Sequence, residues 1–110
     1  PLFDGASLAA GVHVNAVGAF RPENRELDTE TVRRARVVVE TREVAAEEAG
    51  DLLIPIAEGA IGWEHVVADL GELVRGAEVR RSPDDVTVFG SVGLAFEDLA
   101  VASAIVAALR

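Results

Sequence analysis

Between Gly11 and Gly18 the chain holds apolar side chains at 12, 14, 16 and 17, and its β-branched content predicts a short buried strand. Arg21-Pro22-Glu23-Asn24 then reads as a turn, because proline fixes φ and asparagine tolerates tight bends. Asp28 is placed to cap a short helix over Thr29–Ala35, with Glu30 at the positive end of its dipole. A second strand is predicted over Arg36–Thr41, where three consecutive valines at 37–39 suit burial on both faces of a parallel sheet. Arg42–Ala49 predicts a helix terminated by Gly50, and Leu52–Ala57 a further short one, with Pro55 weighing against a regular interior.

After a break at Gly59–Gly62, apolar residues at 63, 66, 67, 70, 73 and 74 fit helical spacing over Trp63–Arg75, ended by Gly76. Ser82-Pro83-Asp84-Asp85 is a turn, Val86–Phe89 a third strand, and Gly90-Ser91-Val92-Gly93 a tight loop into a last helix over Leu94–Leu109. In that helix only Glu97, Asp98 and Ser103 are polar, so it is expected to rest on another domain or subunit. Strands separated by helical stretches imply β-α-β crossovers, and the expected class is α/β: half of a doubly wound parallel sheet of about three strands with flanking helices. Ligands of such sheets sit beyond the carboxyl ends of the strands, which directs attention to Asn15–Phe20, Glu40–Arg42 and Gly90–Gly93.

Composition narrows the chemistry. With 110 residues there is room for one domain, and a hydrophobic share of 50% excludes disorder. A net charge of −9, from 10 basic against 19 acidic residues, disfavours nucleic acid and anionic membrane surfaces. The absence of cysteine removes disulfides, thiol nucleophiles and thiolate metal sites, two histidines are too few for a histidine-rich metal centre, and no metal is expected. All ten basic residues are arginine, which excludes Schiff-base and phosphate-loop lysine chemistry within this chain. Without a signal segment or a bilayer-spanning apolar run, the expectation is a cytoplasmic protein. The chain lacks methionine and opens at Pro1, so it is read as a piece of something longer.

Neither G-x-G-x-x-G nor G-x-x-x-x-G-K-[ST] occurs. Gly90–Gly93 leads into a helix N-terminus, but Glu97 and Asp98 disfavour a phosphate there, and a neutral group such as a carboxamide suits it better; a plain strand-to-helix turn is the competing reading. Asn15 either serves a ligand loop or ties it down structurally. His13 reads as a hydrogen-bonded structural histidine rather than a base. Glu47, Glu48 and Asp51 look like a solvated helix end, and Glu40 and Glu43 flank a strand end, where a functional role is open although surface acids are expected in a chain of this charge. Arg33, Arg34 and Arg36, with Glu30 and Glu40 nearby, form a mixed-charge face.

Several runs, taken together and in order, resemble the ornithine cyclodeaminase and mu-crystallin family: Gly11-Val-His-Val-Asn-Ala-Val-Gly-Ala19, Arg25-Glu-Leu-Asp28, Ala49-Gly-Asp-Leu-Leu-Ile-Pro55, Ala68-Asp-Leu-Gly-Glu-Leu-Val74, and Val86-Thr-Val-Phe-Gly-Ser-Val-Gly93 with Phe96-Glu-Asp-Leu99. The resemblance spans nearly the whole chain. It implies that residues 1–110 are the C-terminal half of a Rossmann-type NAD(P)-binding domain, including the final crossing helix 94–109, from a homodimeric oxidoreductase of amino or imino acids. Carried over by position, it implies contacts to NAD or NADP from Val17, Gly18 and Ser91, supported by Asn15, and a substrate-facing position at Phe20. Where ornithine cyclodeaminases resemble one another in an aspartate, this chain has Phe20, which has no proton to exchange, so ketimine reductase or amino-acid dehydrogenase chemistry is favoured. The family's Pro-Gly-Lys stands here as Pro22-Glu23-Asn24. Its phosphate loop, catalytic lysine and carboxylate-binding arginine are expected in the missing N-terminal half. The alternative is a non-catalytic small-ligand-binding or interaction protein of the same fold.

Overall fold

Residues 35–39 supply the centre of the molecule because a run of valines suits a strand covered on both sides. In the computed structural model, which describes residues 1–110, this strand, β2 (Ala35–Val39), lies between β4 (Val86–Gly90) and β3 (Val66–Asp69), while β1 (His13–Ala16) pairs with the far side of β4. All pairings are parallel, in the order β1-β4-β2-β3, with His13 opposite Thr87, Val37 opposite Val88, and a register shift between Val37 and Val38 along β3. The sheet therefore has four strands, one more than the pattern predicts. The helix expected over Trp63–Arg75 is replaced by a 3-10 turn at Trp63–His65, β3, and α4 (Leu70–Val74). Asp69 is the reason. Its carboxylate accepts from Glu72 N while the Glu72 carboxylate accepts from Asp69 N, both at 2.8 Å, a reciprocal cap that starts a new helix at Leu70.

The other helices follow their caps. Asp28 accepts from Thr31 N at 2.7 Å to open α1 (Thr29–Arg34), and Thr41 accepts from Val44 N to open α2 (Arg42–Glu48). Gly50 does not terminate α2 in a left-handed turn; it is the first residue of α3 (Gly50–Ala57), which runs through a buried Pro55. A β-carbon on Gly50 would overlap the carbonyl oxygens of Asn24 and Arg21, so close backbone approach sets the glycine here.

Val37 and Val39 enter a core with Leu27, Val32, Ala45, Leu52 and Val88. Val38, pointing the other way as strand alternation requires, lines an open cleft of about 330 Å³ with His13, Asn15, Thr87 and Phe89. The first strand was expected to be buried. Instead β1 is an edge strand whose His13 and Asn15 are exposed, since β4 covers only one of its sides. The last helix, α5 (Ala95–Ala108), buries none of its residues, and no helix is long and apolar enough to cross a membrane.

Candidate functional site at the strand ends

Parallel strands deliver their carboxyl ends to one edge of the sheet, and three loops meet there. The backbone N–H of Ser91, just after β4, donates to Ala16 O at 2.8 Å, which places Ser91 beside Val17 and Gly18. Val17 is 66% exposed, Ser91 half-buried, and the space a side chain would take at Gly90 is open. The loop after β4 thus runs beside the end of β1, from which Val17 and Gly18 follow. The Glu26 carboxylate lies over Gly18, where a side chain would otherwise stand. Phe20 lies 57% exposed further along the same loop, with the Arg21 guanidinium 5.6 Å above its ring.

Glu40, one residue beyond β2, reads from sequence as a surface acid but is buried at 5% exposure. One carboxylate oxygen accepts from the Ser91 hydroxyl; the other accepts from Val92 N at 3.3 Å and Gly93 N at 3.1 Å. No arginine reaches it; the five ion pairs all involve other acids. The donors of the Gly90–Gly93 loop are consumed by the protein's own carboxylate, which overturns any anion-binding role for them. A signal for Glu40 was present: an acid directly following a doubly buried strand, at the end where sites form.

Asn15 does not meet Ser91. Its side-chain oxygen lies 3.0 Å from His13 Nε2, and His13 Nδ1 lies 2.8 Å from the Thr87 hydroxyl, which also accepts from Arg80 at 3.2 Å. Both ring nitrogens of His13 have partners, in keeping with a structural histidine, and this polar row crosses the sheet face rather than the strand ends. The expectation of a buried Asn15 is corrected by its edge-strand position.

Asp51 corrects another expectation. Far from a solvated helix end, it is buried and accepts from Glu26 N at 2.8 Å and Leu27 N at 2.9 Å, fixing the loop that carries Phe20. Burial pushes its carboxyl above the ordinary value, and the two backbone bonds only partly oppose this. Asp28 goes the other way: burial would raise it, but bonds from the Thr31 hydroxyl, Gly5 N and Thr31 N hold it below. The arginines at 33, 34 and 36 diverge, to Glu30, to the carbonyls of Gly5 and Leu8, and to Val79 O with Asp85, so they make no basic patch. No group of three or more acids or histidines is arranged to hold a metal ion.

The profile of the ornithine cyclodeaminase/mu-crystallin family matches residues 1–110. The chain belongs to that family. Members include the Delta(1)-pyrroline-2-carboxylate reductase of Bacillus cereus, 48% identical over 104 residues, or 93% of this chain and 32% of that protein. The ketimine reductase mu-crystallin of Mus musculus is 42% identical over 93% of this chain and 30% of its own length. Among solved structures, Thermococcus litoralis Delta(1)-pyrroline-2-carboxylate reductase in complex with NADH and L-proline superimposes with a TM-score of 0.89 at 41% identity, covering 94% of this chain and 32% of that one. The chain spans about a third of the length of these relatives.

Proposed function

We propose that residues 1–110 form the C-terminal half of a Rossmann-type NAD(P)-binding domain, in a cytoplasmic homodimeric oxidoreductase that acts on an amino or imino acid in the manner of a ketimine reductase or amino-acid dehydrogenase. The observation that carries this reading is the Ser91 N to Ala16 O bond, which sets the loop after β4 beside the end of β1, where Val17 and Gly18 follow directly on Ala16. The surface fits the nicotinamide end of such a cofactor: one neutral hydroxyl, an exposed apolar valine, open space over Gly90, and no basic residue in either run. It does not fit the pyrophosphate, which needs free N–H groups or cations.

A bound nicotinamide supplies or accepts the hydride. With such a ring bound, Val17 would offer it an apolar surface, Ser91 would orient it, and Phe20 would present an aromatic face where a substrate approaches. Phe20 has no group to take a proton or pair with an amine, so ornithine cyclodeamination is not expected. Calorimetric titration of the full-length protein tests the cofactor assignment. Losing one neutral hydrogen bond corresponds to about 0.5–1.5 kcal/mol, so Ser91→Ala should weaken NAD(P)H binding roughly three- to tenfold without unfolding the protein. Unchanged affinity would refute the placement of Ser91, and efficient conversion of ornithine to proline by the unmodified protein would refute that of Phe20.

A further inference from the structure

Glu40 and Ser91 together determine which hydrogen-bonding polarity the loop after β4 offers to a ligand. A backbone N–H can only donate, so the Glu40 oxygen facing Val92 N and Gly93 N is an acceptor. The other oxygen of the same carboxylate faces the Ser91 hydroxyl, which has one proton to give and gives it there. The lone pairs of Ser91 Oγ are what is left for a ligand. A serine free to rotate would serve donors and acceptors alike; this one is committed.

We propose that Glu40 is a positioning residue that fixes Ser91 as a hydrogen-bond acceptor, so that the loop selects a cofactor ring bearing a carboxamide by that group's N–H2 side. The inference rests on the proposal that Ser91 faces the nicotinamide. It follows that a ring carrying only an acceptor at the same position is discriminated against even when it is uncharged. A methyl ketone in place of the carboxamide is such a group, similar in size and lacking the N–H2.

The test compares binding of NADH and of reduced 3-acetylpyridine adenine dinucleotide to the full-length protein by calorimetry. The unmodified protein should bind NADH roughly three- to tenfold more tightly, the range for one neutral hydrogen bond. Ser91→Ala should weaken NADH and remove the preference. Glu40→Gln should keep NADH binding measurable while removing or inverting the preference. The glutamine oxygen can still accept from Val92 N and Gly93 N, while its amide donates to Ser91 and turns the serine proton outward. A purely structural Glu40 would weaken both cofactors equally and leave their ratio alone. If Glu40→Gln retains the wild-type ratio while Ser91→Ala loses it, the role of Glu40 is overturned and the Ser91 assignment stands. If Ser91→Ala changes neither affinity, the Ser91 assignment itself falls and this inference with it. Equal affinities in the unmodified protein overturn the proposal with no variant needed, so a Glu40→Gln that failed to fold would not shelter it.

Discussion

The valines of β2 and the apolar residues of α5 are chemically alike and end in opposite environments. Val37 and Val39 are 1% exposed, while Val101 is 60% and Ile105 54% exposed on a helix of 14 residues. The difference lies in neighbours. Strand β2 is flanked by β3 and β4 and packs with Leu27, Val32 and Leu52, whereas α5 leaves the sheet after Gly93 with six alanines favouring helix and none of its residues buried within these 110. Hydrophobicity read along a chain states a demand for burial; topology decides whether the same chain meets it.

The sharpest way to break this comparison is to remove one core side chain. Leu27→Ala should cost about 2–5 kcal/mol in chemical denaturation, since Leu27 is 2% exposed at the centre of the buried cluster, whereas Leu99→Ala in α5 should fall within about 0.5 kcal/mol of wild type. Comparable losses at the two positions would mean that α5 is buried, against the sheet or against a second copy of the chain. Next in size is Gly50→Ala. The added methyl meets two backbone carbonyls that cannot rotate away, and a loss of about 1–3 kcal/mol is expected in the same assay.

Acid titration sharpens the contrast between a buried loop anchor, Asp51, and a half-buried helix cap, Asp28. The carboxyl of Asp51 is raised above 3.8 in the folded state, so its contribution to stability is greatest below 3.8 and is lost as pH rises through the folded value. Asp28 is lowered, so its contribution is present above 3.8 and is lost as pH falls through the folded value. Unfolding curves for Asp51→Asn should therefore show a gain over wild type at neutral pH that shrinks in acid. Asp28→Asn should show a loss at neutral pH that also shrinks in acid, and the same sign for both would contradict the assigned environments. The smallest effect on folding is expected from replacing Val101 and Ile105 together by glutamate. Stability should stay within about 0.5 kcal/mol, while light scattering should show that the double variant abolishes the self-association expected of an apolar exposed helix.

Much of this fold was legible where one local signal had no competitor. Asp28 and Thr41 cap the helices they precede, and the triple valine is buried on both sides of its sheet. The failure over residues 63–75 arose because Val66, Val67 and Leu70 satisfy helical and extended spacing alike, and the punctuation, Asp69 with Glu72, is a matter of two side chains rather than of periodicity. At the strand ends, the approach of the loop after β4 to the end of β1 followed from parallel topology. Glu40 and Asp51 did not, because an acid that accepts backbone N–H bonds from distant loops looks in sequence like any acid in a chain with 19 of them.

Residues 21–27 are held from several directions: Gly50 backs onto the carbonyls of Arg21 and Asn24, Asp51 grips Glu26 N and Leu27 N, and Leu2 N donates to Glu26 O at 2.7 Å. Ala19 is buried and Gly18 is closed off by Glu26. Phe20 projects a large side chain outward from this stretch and anchors nothing in the core, so exchanging it leaves core and backbone in place. The side chain there is interchangeable surface on a rigid mount: replacing it changes what this edge of the sheet presents to its surroundings while stability should stay within about 0.5 kcal/mol.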